Sequence, residues 1–293
     1  RGHPDAAPVL DGLADLLTDL VARWSLTLGE VYSEGIGGPV VAVEADGGPA
    51  VLKLDRAGPA FAAQVATLRA AAGRGYAAWL ADDVARGAVL LERLGPSLAS
   101  AGLPPHEQLD QLAATLHLAW EVPLDTVPEV RPLQDKATQL VGIIGRHRRA
   151  EDEPRWGRHL EMALELAQHL AATRDPGRDV LCHGDPHQGN ALLAQGGSYE
   201  LVDPDGLRCE PEYDAGVALR DFSREVLEIG DPSSARAWHG RLCRRLAEQT
   251  GTDPERVAQW AFVERVTTGL YLRWFDDVET AESFLDAATL LAT

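Results

Sequence analysis

Three polar residues in the second half of the chain have the types and spacing for phosphoryl transfer. Asp185 and Asn190 stand five apart in Val180-Leu181-Cys182-His183-Gly184-Asp185-Pro186-His187-Gln188-Gly189-Asn190. Asp203 closes the next apolar run, in Tyr199-Glu200-Leu201-Val202-Asp203-Pro204-Asp205-Gly206. Such a transfer needs one carboxylate to orient a hydroxyl and take its proton. It also needs an amide oxygen and a second carboxylate to hold a metal on nucleotide phosphates. An Asp followed by an Asn could be only a turn with local side-chain bonds. The joint arrival of His183, Gly184 and Asp203 favours the chemical reading. His183 reads as a brace for the loop backbone rather than as the base, and His187 as solvent-exposed. Asp205 either adds a metal contact or only sits in the turn. Asp214 precedes a helix and reads as its N-cap.

These residues need an opposite wall. Lys53 stands in the apolar run Ala50-Val51-Leu52-Lys53-Leu54, where an unpaired ammonium is costly. Alone it reads as an edge-strand lysine facing water. Following a glycine turn and a hairpin, and preceding a helix and the Asp185 loop, it reads as a phosphate-gripping group. The turn Gly35-Ile36-Gly37-Gly38 either covers phosphates with its N–H groups or is only a loop. Ala45-Asp46-Gly47-Gly48-Pro49 between two β-rich runs, 40–44 and 50–54, is a hairpin signal. Pro59 to Ala72 has helical spacing and ends at Gly73 and Gly75. Tyr76–Leu80 and Ala88–Leu91 read as further strands.

From His106 on, helical periodicity dominates. Helices are expected over 106–120, 133–149, 155–173, 214–229, 233–250, 254–275 and 278–291, interrupted by strand-like runs within 180–205. The Gly-Pro break at Leu94-Gly95-Pro96 separates an N-terminal unit, 1–94, from a C-terminal unit, 95–293. A small sheet joined to a larger helical body leaves a cleft where ligands commonly bind.

The bulk composition bounds the partners. The chain has 293 residues, 45 % apolar and 25 % charged, ordinary for a soluble globular protein. No apolar run approaches the roughly 20 residues that cross a bilayer, and Arg1-Gly2-His3-Pro4-Asp5 lacks a signal-peptide hydrophobic core. No membrane association and a cytoplasmic location are the expectation. Its 27 basic and 45 acidic residues give a formal charge of −18. That argues against nucleic acid, whose binding needs phosphate neutralisation, and is compatible with a cationic ligand steered to an acidic cleft. Cys182, Cys209 and Cys243 show no disulfide or metal-ligand spacing and read as reduced core thiols.

Taken together, His183-Gly184-Asp185…Asn190, Asp203-Pro204-Asp205-Gly206 and Lys53 resemble the aminoglycoside phosphotransferase family of small-molecule kinases. The resemblance spans about residues 20–290, and Leu90-Leu91-Glu92-Arg93-Leu94 resembles the family's hinge. The Trp24 region, Ala50–Leu54, the hinge and the Asp203 turn with Tyr213-Asp214 look like the streptomycin 6-phosphotransferase/hydroxyurea phosphotransferase branch. The resemblance implies an α+β, bilobal protein-kinase-like fold: a small antiparallel sheet lobe with one helix, and a larger helical lobe. It implies ATP and Mg²⁺ as cofactors. Asp185 would deprotonate the acceptor hydroxyl, Asn190 and Asp203 would bind Mg²⁺, Lys53 would hold the α/β-phosphates, and the backbone of Glu92 and Leu94 would hydrogen-bond adenine. One residue departs from the pattern. Gln64 stands where related kinases carry the glutamate that pairs the lysine, so a different acid pairs Lys53 or phosphate holds it.

The expected activity is ATP-dependent transfer of the γ-phosphate to a hydroxyl of a small, possibly cationic molecule, aminoglycoside-like. A metabolic alcohol kinase and a non-catalytic kinase-like binder are the alternatives. A protein-kinase role fits less well, because no A-P-E segment stands between Gly206 and Asp214. The substrate pocket is expected near 206–222 and 260–278, where Glu210, Glu212, Asp214, Asp221, Glu264, Asp276 and Asp277 are available acids. Tyr271, Trp274 and Phe275, at helical spacing, read as core rather than as a ligand platform.

Overall fold

The structure is a computed structural model that describes residues 12–32, 38–127 and 135–292. The β-rich runs form the expected hairpin, β2 (Val40–Ala45) antiparallel to β3 (Gly48–Leu54). With β1 (Thr27–Tyr32), β4 (Trp79–Asp83) and β5 (Ala88–Glu92) they make a five-stranded sheet in the order β1-β2-β3-β5-β4. The strand expected from Tyr76 starts later, at Trp79, because Tyr76 leaves the sheet to bridge Leu201 in the helical body. Gly35, Ile36 and Gly37 lie outside the described residues.

Period-two alternation decides where Lys53 points. Ala50, Leu52 and Leu54 of β3 and Ala88 and Leu90 of β5 are buried against Leu20 of α1 (Leu13–Trp24). The sequence reading assigned no helix there, although Leu13, Leu16, Leu17, Leu20, Val21 and Trp24 have helical spacing and all join that cluster. Lys53 lies on the other face, opposite Val89. Val89 and Leu91 pack there with Phe61, Val65 and Leu68 of α2 (Pro59–Ala71), and with Leu109, Leu112 and Leu116 of α3 (Pro105–Trp120). Each such large side chain contributes about 1.5–3 kcal/mol on burial. The apolar contacts that join sheet to helical body therefore also turn Lys53 towards that body.

The helical body continues with α4 (Lys136–His147), α5 (Glu153–Ala172), α6 (Pro211–Arg220), α7 (Ser223–Ile229), α8 (Pro232–Thr250), α9 (Pro254–Trp274) and α10 (Val278–Leu291). Asp231 and Asp253 cap α8 and α9, each followed by Pro in the first turn. The single helix expected over 214–229 is two. It starts at Pro211 and breaks after Arg220. The break leaves the Leu219 carbonyl to accept from the buried Arg265 guanidinium at 2.9 Å, while Arg265 Nε donates to Ser223 Oγ at 3.1 Å. Two short antiparallel pairs, β6 (Val180–Cys182) with β9 (Leu207–Cys209) and β7 (Ala191–Leu193) with β8 (Tyr199–Leu201), supply the strand-like runs. The three cysteines are buried and unpaired. No described helix is long and apolar enough to cross a membrane.

Candidate active site

The two strand pairs set two loops side by side. Residues 183–190 link β6 to β7, and residues 202–206 link β8 to β9. The loops are stitched at the backbone: Asp205 N donates to His183 O at 2.7 Å and Val202 N to Asn190 O at 2.9 Å. Gly184 has φ +101°, and a Cβ there would lie 2.6 Å from the Asp205 Cβ. Only glycine allows this approach. His183 is fully buried, and its role is architectural. Its Nδ1 accepts from Asp185 N at 3.1 Å, so its proton sits on Nε2, which donates to Val202 O at 2.8 Å. The ring stacks on Tyr76, with centroids 5.8 Å apart.

Asp214 is not the N-cap, which is Glu210. It lies inside the first turn of α6 and anchors the loop from below. Its Oδ2 accepts from His183 N at 2.8 Å and Trp120 Nε1 at 2.9 Å, and its Oδ1 from Gly184 N at 3.0 Å. Burial raises this carboxyl above its ordinary value, with His183 and the three N–H donors opposing. Tyr213, its neighbour, donates its hydroxyl to Gly184 O at 2.9 Å.

Asp185 and Asn190 stand together as their spacing implied. Asn190 Nδ2 donates to Asp185 O at 3.0 Å, which leaves its amide oxygen free. The Asp185 side chain is 40 % exposed, and its Oδ1 accepts from Arg220 Nη2 at 2.7 Å. Burial pushes this carboxyl up, but Arg220, His187 and His183 together outweigh it and hold the group below its ordinary value. Arg220 also bonds Asp221 at 2.8 Å and comes within 3.8 Å of Glu264. His187 is not simply solvent-exposed: its Nδ1 lies 3.4 Å from Asp221 and its Nε2 3.6 Å from Asp185. The sequence reading gave Arg220 no role. Its only local signal is a basic residue one position before an acid, inside the helix expected over 214–229.

An opposite charge at this range favours the ionised carboxylate. We expect Arg220→Met to move the acid limb of the kcat/KM–pH profile upward, because the neighbouring guanidinium that favours the charged carboxylate is lost. A limb that stays in place would show that Arg220 does not set the charge of Asp185.

Lys53 and Asp203 meet across the cleft. Lys53 is 7 % exposed, and its Nζ lies 2.7 Å from Asp203 Oδ1. Asp203, not Gln64, is thus the acid that pairs the lysine in this structure. The Asp203 side chain remains 44 % exposed, with Oδ2 available. It sits at φ +60°, a conformation that costs a non-glycine residue about 1 kcal/mol or more. The α2 helix presses on this turn: a Cβ on Gly206, at φ +62°, would lie 2.4 Å from Thr67 Oγ1. The amide oxygen of Asn190 and the carboxylate of Asp203 are hard oxygen donors. Such a pair suits Mg²⁺, which binds through one or two carboxylates and keeps its remaining places for water and phosphate. Among the described residues no three His, Cys, Asp or Glu side chains form a metal cage.

At the end of β5, Glu92 N donates to Ala78 O at 3.0 Å, so the carbonyl of Glu92 is the part of its main chain left for a base. Its carboxylate accepts from Ala78 N at 2.6 Å. Burial, and then the nearby Glu92 carboxylate, pushes the Glu200 acid up to about 7. Leu94 follows immediately, before Gly95 N donates to Leu193 O at 2.7 Å.

Several acids expected near a substrate are committed elsewhere. Glu210 accepts from Arg256 and Trp260, each at 2.6 Å, and Glu212 pairs with Arg178. Asp277 caps α10 through Thr280 N. Asp221 and Glu264 remain beside Asp185, and Glu264 Oε1 is buried without a partner. With Arg220 this group keeps two net negative charges. Tyr271 and Trp274 are not core: they are 44 % and 58 % exposed.

A sheet lysine facing an Asp-loop-Asn and an acidic turn, with a helical body beneath, defines a kinase-like phosphotransferase. The family model described as aminoglycoside/hydroxyurea antibiotic resistance kinase matches residues 23–278, and the chain belongs to that family. It is 28 % identical over 283 residues to streptomycin 6-kinase of Streptomyces glaucescens, covering 95 % of this chain and 87 % of that protein. It is 29 % identical to hydroxyurea phosphotransferase of Kitasatospora aureofaciens, covering 86 % and 70 %. The crystal structure of aminoglycoside phosphotransferase APH(4)-Ia superposes with a TM-score of 0.64, at 15 % identity, covering 96 % of this chain and all of that one.

Proposed function

We propose that the protein transfers the γ-phosphate of ATP to a hydroxyl of an aminoglycoside-like antibiotic. The observation that carries this reading is the meeting of Lys53, Asp185, Asn190 and Asp203 at one cleft from segments up to 150 residues apart. Asp185, oriented by Arg220, accepts the proton of the acceptor hydroxyl through the carboxylate oxygen that Arg220 does not hold. Lys53 grips the α/β-phosphates, and the Glu92 carbonyl and Leu94 N–H hold adenine. Asn190 and Asp203 are the residues for Mg²⁺, which when bound neutralises charge on the phosphates. The negative group Asp185, Asp221 and Glu264 favours a cationic acceptor. Nucleic acid does not suit a chain of charge −18. The unit boundary falls at Leu94–Gly95, and the cytoplasm supplies the ATP.

The test is a panel of streptomycin, hydroxyurea, hygromycin B, choline and homoserine, each incubated with Mg²⁺-ATP and weighed by mass spectrometry. The expected outcome is a gain of one phosphoryl group on streptomycin. Transfer confined to choline or homoserine would reassign the chain to metabolic alcohols. Nucleotide bound with nothing transferred would make it a binder.

A further inference from the structure

We propose that Arg265 is a positioning residue for the transfer: from inside α9 it caps the end of α6 and so fixes where the Arg220 guanidinium meets Asp185. The role rests on the proposed transfer, in which Arg220 orients Asp185. Arg265 itself is fully buried, and its bonds go to Leu219 and Ser223. The last four carbonyls of a helix find no partner within it. At the end of α6, side chains from three separate segments answer three consecutive ones. Gln188, in the Asp185 loop, donates its side-chain amide to Ala218 O at 2.9 Å. Arg265 Nη2 donates to Leu219 O at 2.9 Å. Ser223 Oγ, in the first turn of α7, donates to Arg220 O at 3.1 Å and accepts from Arg265 Nε at 3.1 Å. The helix end that carries Arg220 is thus tied on one side to the Asp185 loop and on the other to α9.

Arg220 is the last residue of α6, so its main chain sits inside this cap while its side chain reaches out to Asp185 at 2.7 Å. Close backbone approach sets the register of the two helices. A Cβ on Gly216 would lie 2.5 Å from the Trp260 Cβ and 2.8 Å from Ala261 N. One turn further along α6 stand Leu219 and Arg220, and one turn further along α9 stands Arg265. Glu264, the residue before it, comes within 3.8 Å of Arg220 Nη1. Adjacent positions of α9 therefore hold the main chain and the side chain of one residue.

A neutral side chain could answer a single carbonyl. The planar guanidinium holds a carbonyl and a hydroxyl with two N–H groups of one rigid fork, which a lysine cannot do. Burial pushes Arg265 down to about 10, and its Nη1 is buried without a partner. Burying an incompletely satisfied charge is unfavourable, so stability alone does not account for a cation at this place.

The test places Arg265→Lys and Ser223→Ala in the parent chain and in an Arg220→Met background. In the parent, Arg265→Lys is expected to lower single-turnover transfer to streptomycin about tenfold or more, with the KM for ATP little changed. Ser223→Ala, which removes one of the two points of hold, should lower it about threefold, and it carries the test if Arg265→Lys does not fold. In the Arg220→Met background either substitution should change transfer by less than about twofold, while lowering the melting midpoint as much as in the parent. An equal loss of transfer in both backgrounds, or parent-rate transfer in both variants, would overturn the proposal. A parent chain that phosphorylates no acceptor would count against the proposed transfer alone. The positioning is read without any acceptor from the Arg220 Nε–H resonance, which is identified by its loss in Arg220→Met and whose group bonds Asp221 at 2.8 Å. Its exchange with water is expected to rise about tenfold or more in both variants. Unchanged exchange would overturn the positioning whether or not transfer is seen.

Discussion

Asp185→Asn is expected to lower transfer to the acceptor hydroxyl about 10³-fold, within the range a positioned base contributes. Asn keeps an oxygen for the Arg220 contact at 2.7 Å, so the loop stays in place and only the proton acceptor is lost. Nucleotide affinity, which in the proposed roles rests on Lys53 and Asp203, should change little. Nor should the unfolding midpoint move much, since the side chain is partly exposed and its backbone contacts run through Asn190 and His183. Single-turnover transfer and nucleotide titration separate the two terms. Transfer at the parent rate would remove Asp185 from the proposed chemistry, whatever the acceptor.

The second large effect comes from a residue that touches no reacting atom. Asp214→Ala strips the acceptor from three N–H groups, those of Trp120, His183 and Gly184. A buried donor left unpaired costs about 1–3 kcal/mol, so the total is on the order of 3 kcal/mol or more. The Asp185 loop also loses its floor, and a displacement of an ångström at a reacting group can cost about 10²-fold in rate. Denaturant unfolding and kcat/KM, measured on the same variant, should therefore fall together. A fall in rate with stability intact would place Asp214 in contact with the reacting groups instead of beneath them.

What could be read before any coordinates were at hand was local. The 46–49 turn, the apolar alternation around Lys53, the Asp185–Asn190 interval and most helices are each set by neighbours within about ten residues. The rest depends on partners far along the chain. The Lys53–Asp203 pair joins positions 150 apart, and Arg220 reaches back 35 residues to Asp185. Asp214 stands in the first turn of a helix, where an N-cap reading suits the local pattern, yet its bonds go to segments 30 and 94 residues earlier. Tyr271 and Trp274 illustrate the converse. Their helical spacing is that of a core stripe, and only the packing of α4 against α9 decides that their side chains stay uncovered. The α1 helix was missed although its apolar spacing was present.

The 2.7 Å contact between Lys53 and Asp203 bears on how the protein waits between turnovers. In their proposed roles the cation awaits phosphate and the carboxylate awaits a metal. In the structure the two groups satisfy one another, so neither the buried ammonium nor its carboxylate partner is left without an opposite charge. In those proposed roles, nucleotide and metal arriving together match both charges of the pair. A free phosphate would leave the carboxylate unanswered, and a lone cation would leave the lysine so. In the same proposed roles, the Lys53–Asp203 pair favours matched cargo over a lone phosphate or a lone cation.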